Sequence, residues 1–444
     1  LFKKRKKLFG LIIVSLVIAF SFTSTFQSFA NFPDEVRMFE SAIKQLKFNL
    51  PISAPALVSS SSNILEVNGQ ELSNESSDLK INLDEGLTVK SIKEGESKLT
   101  LKLFGVIPLK TVNFNVMKDI KVIPGGQTIG VKLKSAGIIV VGHHSIDQED
   151  GKTISPAEKA GIRTGDLIIK MDGKNVTSVN EIVEGVNEKK GKEIEFEIVR
   201  DKEKIITKIK PIYDSKSNAY RLGLYIRDSA AGVGTLTFYD PKSNYYGALG
   251  HVITDIDTQE PIIVGDGSIY NANVTSIDKG TSGKPGGKRA QIEDENNIIG
   301  NITKNTPFGI FGEIYKRPSN GIYDEPIPIA LPEEVVEGPA EILTVIEGQK
   351  VEKFDIEIVN VIDQKYPATK GMVIKVTDKK LLEKTGGIIQ GMSGSPIIQG
   401  GKLVGVVTHV FVNEPTSGYG SFIEWMIRDA GILDTENTQN LKAS

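Results

Sequence analysis

The 444-residue chain contains no cysteine. That absence excludes a disulfide scaffold, a thiolate zinc site and a cysteine nucleophile. Export stays open, because disulfides are permitted outside the cytoplasm but not required there. An excess of one charge is also lacking: 53 Lys and Arg stand against 56 Asp and Glu, a formal charge of −3 with a pI near 6.0. So small an imbalance argues against non-specific nucleic-acid binding, which needs a basic surface. Beyond the N-terminal thirty residues no segment reaches the ~18 apolar residues of a membrane helix. A hydrophobic content of 39% with 25% charged residues fits a soluble globular body and excludes a polytopic membrane protein or a wholly disordered chain. At roughly 150 residues per domain, the length corresponds to about three domains.

The N-terminus is a different material. Lys3, Lys4, Arg5, Lys6 and Lys7 form a basic cluster, followed by an uncharged stretch from Leu8 to Ala30 that is almost continuously apolar over Leu11 to Phe20. A positive n-region before an apolar h-region predicts an export signal, and Ser28-Phe29-Ala30 offers small residues to a signal peptidase. The stretch is also long enough to remain as an uncleaved anchor. Cleavage would remove those five basic residues and make the exported body more acidic. An initial Leu in place of Met fits an alternative start codon read literally, or a fragment.

Residues 31–118 predict a small β-rich module without chemistry of its own. Phe32 to Phe48 has the spacing of a short helix, and Pro51 to Asn74 has the Ser, Pro and Asn content of a linker. Alternating runs at Leu79–Leu83, Leu99–Leu103 and Val112–Val116 predict strands.

The next unit, 119–214, carries Gly126-Gln127-Thr128-Ile129-Gly130-Val131 and later Ser155-Pro156-Ala157-Glu158-Lys159-Ala160-Gly161-Ile162-Arg163-Thr164-Gly165-Asp166-Leu167-Ile168. A short helix over Pro156–Lys159 should end at Gly161, and Gly165-Asp166 should turn the chain into a buried strand closed by Asp172-Gly173. A helix over Asn180–Asn187 and a strand over Glu193–Val199 follow. The run resembles a PDZ domain of the bacterial protease-associated kind. The resemblance implies a peptide-binding groove in which a loop offers N–H groups to a peptide carboxylate, and it places that loop at Thr128, Ile129, Gly130 and Val131. His143 and His144 precede Asp147, Glu149 and Asp150, but adjacent residues on a strand face opposite ways. The run reads as a solvated acidic loop, and no metal or other cofactor is expected.

Chemistry concentrates in 215–436. Gly391-Met392-Ser393-Gly394-Ser395-Pro396 is a glycine-flanked serine in a tight turn, followed by strand, glycine hairpin and strand. Such glycines let neighbouring N–H groups converge on the oxyanion of a tetrahedral intermediate. The pattern resembles the trypsin-like serine peptidases with a double β-barrel. By that resemblance Ser393 is the nucleophile, and the N–H groups of Gly391 and Ser393 form the oxyanion hole. About 140 residues earlier, Gly250-His251-Val252-Ile253-Thr254-Asp255 follows a small-residue turn. Of the four histidines, His143 and His144 fall in the PDZ-like unit and His409 lies on the strand after the serine, which leaves His251 as the general base. Asp255, Asp257, Asp266, Asp363 and Asp378 are candidates for the acid.

Together with Val376-Thr377-Asp378-Lys379, these pieces resemble the SpoIVB family of sporulation serine peptidases. That family carries its acid fifteen residues before the serine, which falls on Asp378. The resemblance implies an exported serine endopeptidase, possessing no cofactor, in the space between the two membranes of a developing endospore. Such an enzyme would cut itself and an extracytoplasmic segment of a membrane-bound regulator, releasing an intramembrane protease that activates a sporulation sigma factor. A different class of function is a PDZ-based signalling scaffold on a peptidase fold. The expected architecture is mainly β: a signal or anchor helix (1–30), a β-rich region (31–118), a PDZ domain (119–214), a double-barrel peptidase domain (215–436) and a flexible tail (437–444). Thr385–Ile388 and Thr408-His409-Val410 are expected to wall the substrate pocket without a carboxylate. Gly280–Arg289, glycine-rich and basic, lacks the P-loop order and reads as a mobile surface loop.

Overall fold

The computed structural model describes residues 32–47, 55–72, 78–82, 86–148, 152–294, 296–364 and 366–433. The expected export segment 1–30 and tail 437–444 lie outside the described residues. Among those described, no helix is long and apolar enough to cross a membrane. The chain divides once, between Ile120 and Lys121.

The first unit is a two-sheet β-module. One sheet orders Glu35–Phe39, Ile107–Met117, Gly95–Leu103, Pro55–Ser60 and Leu79–Asn82; the other orders Ile43–Leu46, Leu87–Ser91, Leu65–Val67 and Gln70–Leu72. Val58, Leu99 and Phe114 of the first sheet share a buried core with Leu65, Val67 and Val89 of the second. The expected strands are present. The helix over Phe32–Phe48 is not: Glu35–Phe39 pairs in parallel with Asn113–Met117, and Ile43–Leu46 pairs with Leu87–Lys90. Part of the expected linker is also sheet, since Pro55–Ser60 pairs on both edges. Cross-strand partners outweigh local propensity at these positions.

In the second unit the PDZ pattern is realised closely. Ser155 caps the helix Pro156–Lys159 with its hydroxyl on the N–H of Glu158, and Gly161 follows at φ +81°. Asp166 is buried, accepts from the N–H of Arg163 and pairs with Arg200 at 2.6 Å, which fixes the turn into the strand Leu167–Met171. Asp172 and Gly173 both have positive φ, as a type I′ hairpin turn requires. The helix Val179–Lys189 and the strands Ile194–Arg200 and Glu203–Ile209 complete the unit.

Its border with the peptidase region is not a cut at residue 214. Thr128–His143 and Leu224–Tyr239, sixteen residues each, pair with one another along most of their lengths. Their His143 and Leu224 ends belong to the PDZ unit, whereas their Thr128 and Tyr239 ends join Val264–Asp278 and Tyr245–Ala248 in the peptidase half. All of these lie in one fourteen-stranded sheet. A closed six-stranded barrel follows, ordered Gly338–Val345, Val351–Val361, Met372–Val376, Glu414–Phe422, Lys402–Phe411 and Pro396–Gln399. Among the described residues the C-terminal half alone closes; the N-terminal half stays part of the shared sheet, correcting the expectation of two separate barrels.

Candidate active site

Two threonines and a neighbouring strand hold the serine loop. Thr235 donates its N–H to Ser393 O at 3.1 Å and its Oγ1 to Gly391 O at 2.8 Å. Thr237 donates Oγ1 to Gly394 O at 2.8 Å, and the Gly394 N–H reaches Val407 O at 2.9 Å. Glycine is required at 394: φ is +97°, and a Cβ would stand 2.1 Å from Thr235 O and 2.6 Å from Leu249 N. With the loop's carbonyls engaged, the N–H groups of Gly391 and Ser393 have no hydrogen-bond partner among the described residues. They are free to donate to an oxyanion.

His251 is brought to the same place. Leu249 N lies over Gly394, and the preceding Gly250 packs on Val406 and Thr408 of the strand after the serine. The His251 ring faces His409 with centroids 5.7 Å apart. His251 Nδ1 sits 2.8 Å from Val252 O, and Ser393 Oγ donates to Thr408 O at 2.9 Å. The imidazole and the hydroxyl are therefore each tied to a main-chain carbonyl. Withdrawal of the His409 ring from water, then the neighbouring His251 and Lys370, hold its pKa below the ordinary imidazole value.

Asp378 is not brought to His251. Its carboxylate caps the helix Lys379–Thr385, accepting from the N–H of Leu381 at 2.8 Å. Tyr419 aligns with Val373 on one side and His409 on the other, so Asp378 lies five residues along from the level of the histidine pair.

Another expected acid, Asp255, is near the histidine turn but already engaged. It is buried, pairs with the Arg227 guanidinium, and accepts from the N–H groups of Asp257 at 3.0 Å and Thr258 at 2.9 Å. Burial pushes its carboxyl up, but the Thr258 N–H and Arg227 outweigh this and hold it below its ordinary value. Arg227 also reaches Asp257 at 2.7 Å.

A cleft of about 1000 Å³ runs past His251, lined by Arg227, Ser229–Val233, Leu249, Val252–Ile256, Gln390 and His409. Of the expected pocket walls, only His409 lines it. Thr385 is buried, with Oγ1 on Leu381 O and Gly387 O, and Ile388 N–H is bonded to Pro415 O.

The basic glycine-rich run is not a free loop. Thr281–Lys284 is exposed, but Gln390 N–H donates to Gly286 O and Lys288 N–H to Gln390 O, both at 2.9 Å. The Lys288 stem lies against Gly391, and its buried Nζ donates to Thr344 Oγ1 at 2.8 Å. Burial drives the ammonium down from 10.5 to about 7. The unfolded chain therefore holds the extra proton across that window, and stability should rise with pH from about 7 to 10.5. The contribution is up to about 1.4 kcal/mol per pH unit. Urea unfolding across this range should show the slope in wild type and its loss in Lys288→Met.

The peptide groove of the PDZ unit is elsewhere than expected. Thr128, Ile129, Gly130 and Val131 are buried strand; Ile129 aligns with Gly234 on one edge and Asn271 on the other, leaving no edge for a peptide. A separate groove of about 260 Å³ lies between the helix Val179–Lys189 and Leu222–Ile226, with His144 at its wall. Leu222 O accepts from Ala157 N–H, and Gly223 O from His144 N–H. A trans peptide points its C=O and N–H in opposite directions. The N–H groups of Gly223 and Leu224 thus face away from those inward carbonyls, as a carboxylate-holding turn needs. The sequence signal was Arg221-Leu222-Gly223-Leu224, in which Gly223 takes φ +75°. His143 and His144 part company: His143 Nε2 meets Ile162 O at 3.0 Å and His144 stacks near Tyr225.

Comparison with known proteins agrees with this layout. Residues 218–427 match the SpoIVB peptidase S55 family, and residues 150–200 match the PDZ domain family. Residues 218–427 are thus a SpoIVB-type serine peptidase region, and residues 150–200 lie in a PDZ domain. Among solved structures, the PDZ domain of the SdrC-like protein from Listeria monocytogenes shares 21% identity, covering 20% of this chain and 87% of that one, with a TM-score of 0.17. The Rv3671c protease from M. tuberculosis in its active form shares 13% identity over 46% of this chain and 75% of that one, TM-score 0.28. Its inactive form shares 12% over 45% and 84%, TM-score 0.26. Within the SpoIVB-type region, the serine loop and the histidine turn occupy opposite walls of one seam, joined by Thr235 and Leu249.

Proposed function

We propose that this chain is an exported serine endopeptidase in which Ser393 attacks the peptide carbonyl and His251 carries the proton. Gly391 and Ser393 N–H groups hold the oxyanion. The observation that carries this reading is the pair of unpartnered N–H groups on a serine loop packed beneath the histidine turn. Rotation of Ser393 about χ1, away from Thr408 O, releases its hydroxyl toward the imidazole. We assign Asp378 to holding the helix that leads into the serine loop, because its carboxylate is used as the cap. Asn caps a helix about as well as Asp, whereas loss of a triad acid to Asn costs about ten-thousand-fold. Asp378→Asn should therefore keep activity within about tenfold of wild type, and Asp378→Ala should lose about 1 kcal/mol of stability. A ten-thousand-fold loss in Asp378→Asn would return Asp378 to the triad.

The family resemblance supports the rest of the reading: self-cleavage, and cleavage of the extracytoplasmic part of a membrane-bound regulator that leads to activation of a sporulation sigma factor. The N-terminal basic and apolar run supports export and attachment to the membrane. Both reactive side chains rest on main-chain carbonyls, which favours a second reading, a PDZ scaffold with little catalysis. A serine-directed phosphonate separates the two. Mass spectrometry should find its adduct on Ser393 in wild type and not in His251→Ala; no adduct, even with a peptide in the PDZ groove, establishes the scaffold.

A further inference from the structure

One strand runs through both peptide sites. Leu224–Tyr239 begins at the carboxylate-holding turn, lines the PDZ groove with Leu224–Ile226, and then lines the catalytic cleft with Arg227 and Ser229–Val233. It reaches the serine loop at Thr235, whose N–H is bonded to Ser393 O. One edge pairs with Thr128–His143 from Leu224 to Thr235. On the opposite edge, pairing begins only at Leu236, with Ala248. From Leu224 to Gly234 that edge has no strand partner among the described residues. Ser229, Ala230, Ala231 and Gly232 give its middle a floor of small side chains, with Ala231 and Gly232 exposed. An open edge of this kind accepts an added strand.

Resting on the serine-peptidase reading, we propose that a substrate polypeptide binds along this whole edge as an antiparallel strand, its free C-terminal carboxylate at the Gly223–Leu224 turn and its scissile bond at Ser393. The polarity follows from the turn. N–H groups at the beginning of the strand hold a carboxylate only if the partner ends there and runs backward toward Gly234. The apolar Ile182, Val183 and Val186 beside the turn select an apolar last side chain. Ten residues separate Leu224 from Gly234, or about 33 Å of strand. The enzyme thus measures from the terminus and removes a tail of about ten residues. Ser393 Oγ bonds to the carbonyl carbon as the C–N bond breaks, and the hydroxyl proton passes through His251 to the departing tail's nitrogen. Water then hydrolyses the ester, leaving a new carboxylate on the substrate body and restoring the serine.

The test uses the full chain and synthetic peptides of about thirty residues ending in Val, as free acid and as amide, with mass spectrometry locating each cut. Cuts in the free acid should cluster about ten residues from its end. Inserting three residues into the tail should move the cut three residues along the sequence, keeping that distance. Amidation, which removes a charge-assisted contact, should lower kcat/KM about ten- to a hundredfold and scatter the cuts. Val183→Asp, on the exposed part of the groove wall, should do the same to the free acid. Equal cutting of acid and amide, or cuts that follow local sequence at any distance from the end, overturns the proposal. So does an enzyme that is labelled at Ser393 but cuts none of these peptides. Absence of labelling instead removes the peptidase reading on which it rests.

Discussion

Ser393→Ala is expected to lower peptide-bond cleavage by about a million-fold while leaving the fold in place. The hydroxyl makes one hydrogen bond, to Thr408 O, so its loss disturbs little else. The loop itself is held by Thr235, Thr237 and Val407 through main-chain atoms that the substitution keeps. His251→Ala should fall by a similar factor, and the double variant should be no worse than either, because nucleophile and base act as one unit. Initial rates on a single peptide, with thermal unfolding of each variant, check both halves of the prediction. If Ser393→Ala kept more than about a thousandth of wild-type activity, another group would be the nucleophile.

Arg227→Met is expected to cost about 3–5 kcal/mol of stability, the penalty for leaving a buried carboxylate without its cation. Asp255 has 2% of its surface exposed, and after the change it would keep only the N–H groups of Asp257 and Thr258. The loss should fall on the turn that carries His251, so activity and unfolding midpoint should drop together. Adding Asp255→Asn removes the stranded charge and should recover a large part of the loss. The sign with pH also differs. In wild type the Asp255 carboxyl lies below its ordinary value of 3.8, so its contribution is complete at neutral pH and fades as pH falls through that value. In the variant burial is opposed by the N–H groups alone, so acidification should narrow the gap to wild type. Urea unfolding at pH 7 and pH 4 would show this, and an equal gap at both would count against the ion pair as the cause.

Both predictions concern one wall of the molecule, and so does the proposed measuring of substrate tails. Arg227, Thr235 and the PDZ turn at Gly223 are all on or beside the strand Leu224–Tyr239. A substitution that bends this strand should therefore alter groove and cleft together.

Local patterns were legible where the chemistry is local. Ser155 and Gly161 bound the PDZ helix, Asp172-Gly173 makes its hairpin, and the glycines around Ser393 mark a turn that a Cβ would block. Readings failed where a distant segment decided the outcome. Phe32–Phe48 has a short-helix spacing but finds strand partners, and Thr128–Val131 reads as a loop but is enclosed on both edges. Lys288 was hidden for the same reason: in sequence it belongs to a basic, glycine-rich run, and only the Gln390 main chain draws it beneath Gly391.

The glycine turns around Ser393 and His251, the PDZ helix and hairpin, and the PDZ-then-peptidase order are written along the chain, because glycine conformations, caps and alternating strands depend on sequence neighbours. Tertiary structure alone decided what each polar group is spent on. It ties Asp378 to a helix cap and Asp255 to Arg227, sets Gly223 at the end of the groove beside the helix Val179–Lys189, and carries one strand from there to Thr235, bonded to Ser393. Hydrogen-bond capacity and free sheet edges are settled by whichever partners arrive in space, and the linear order does not record them.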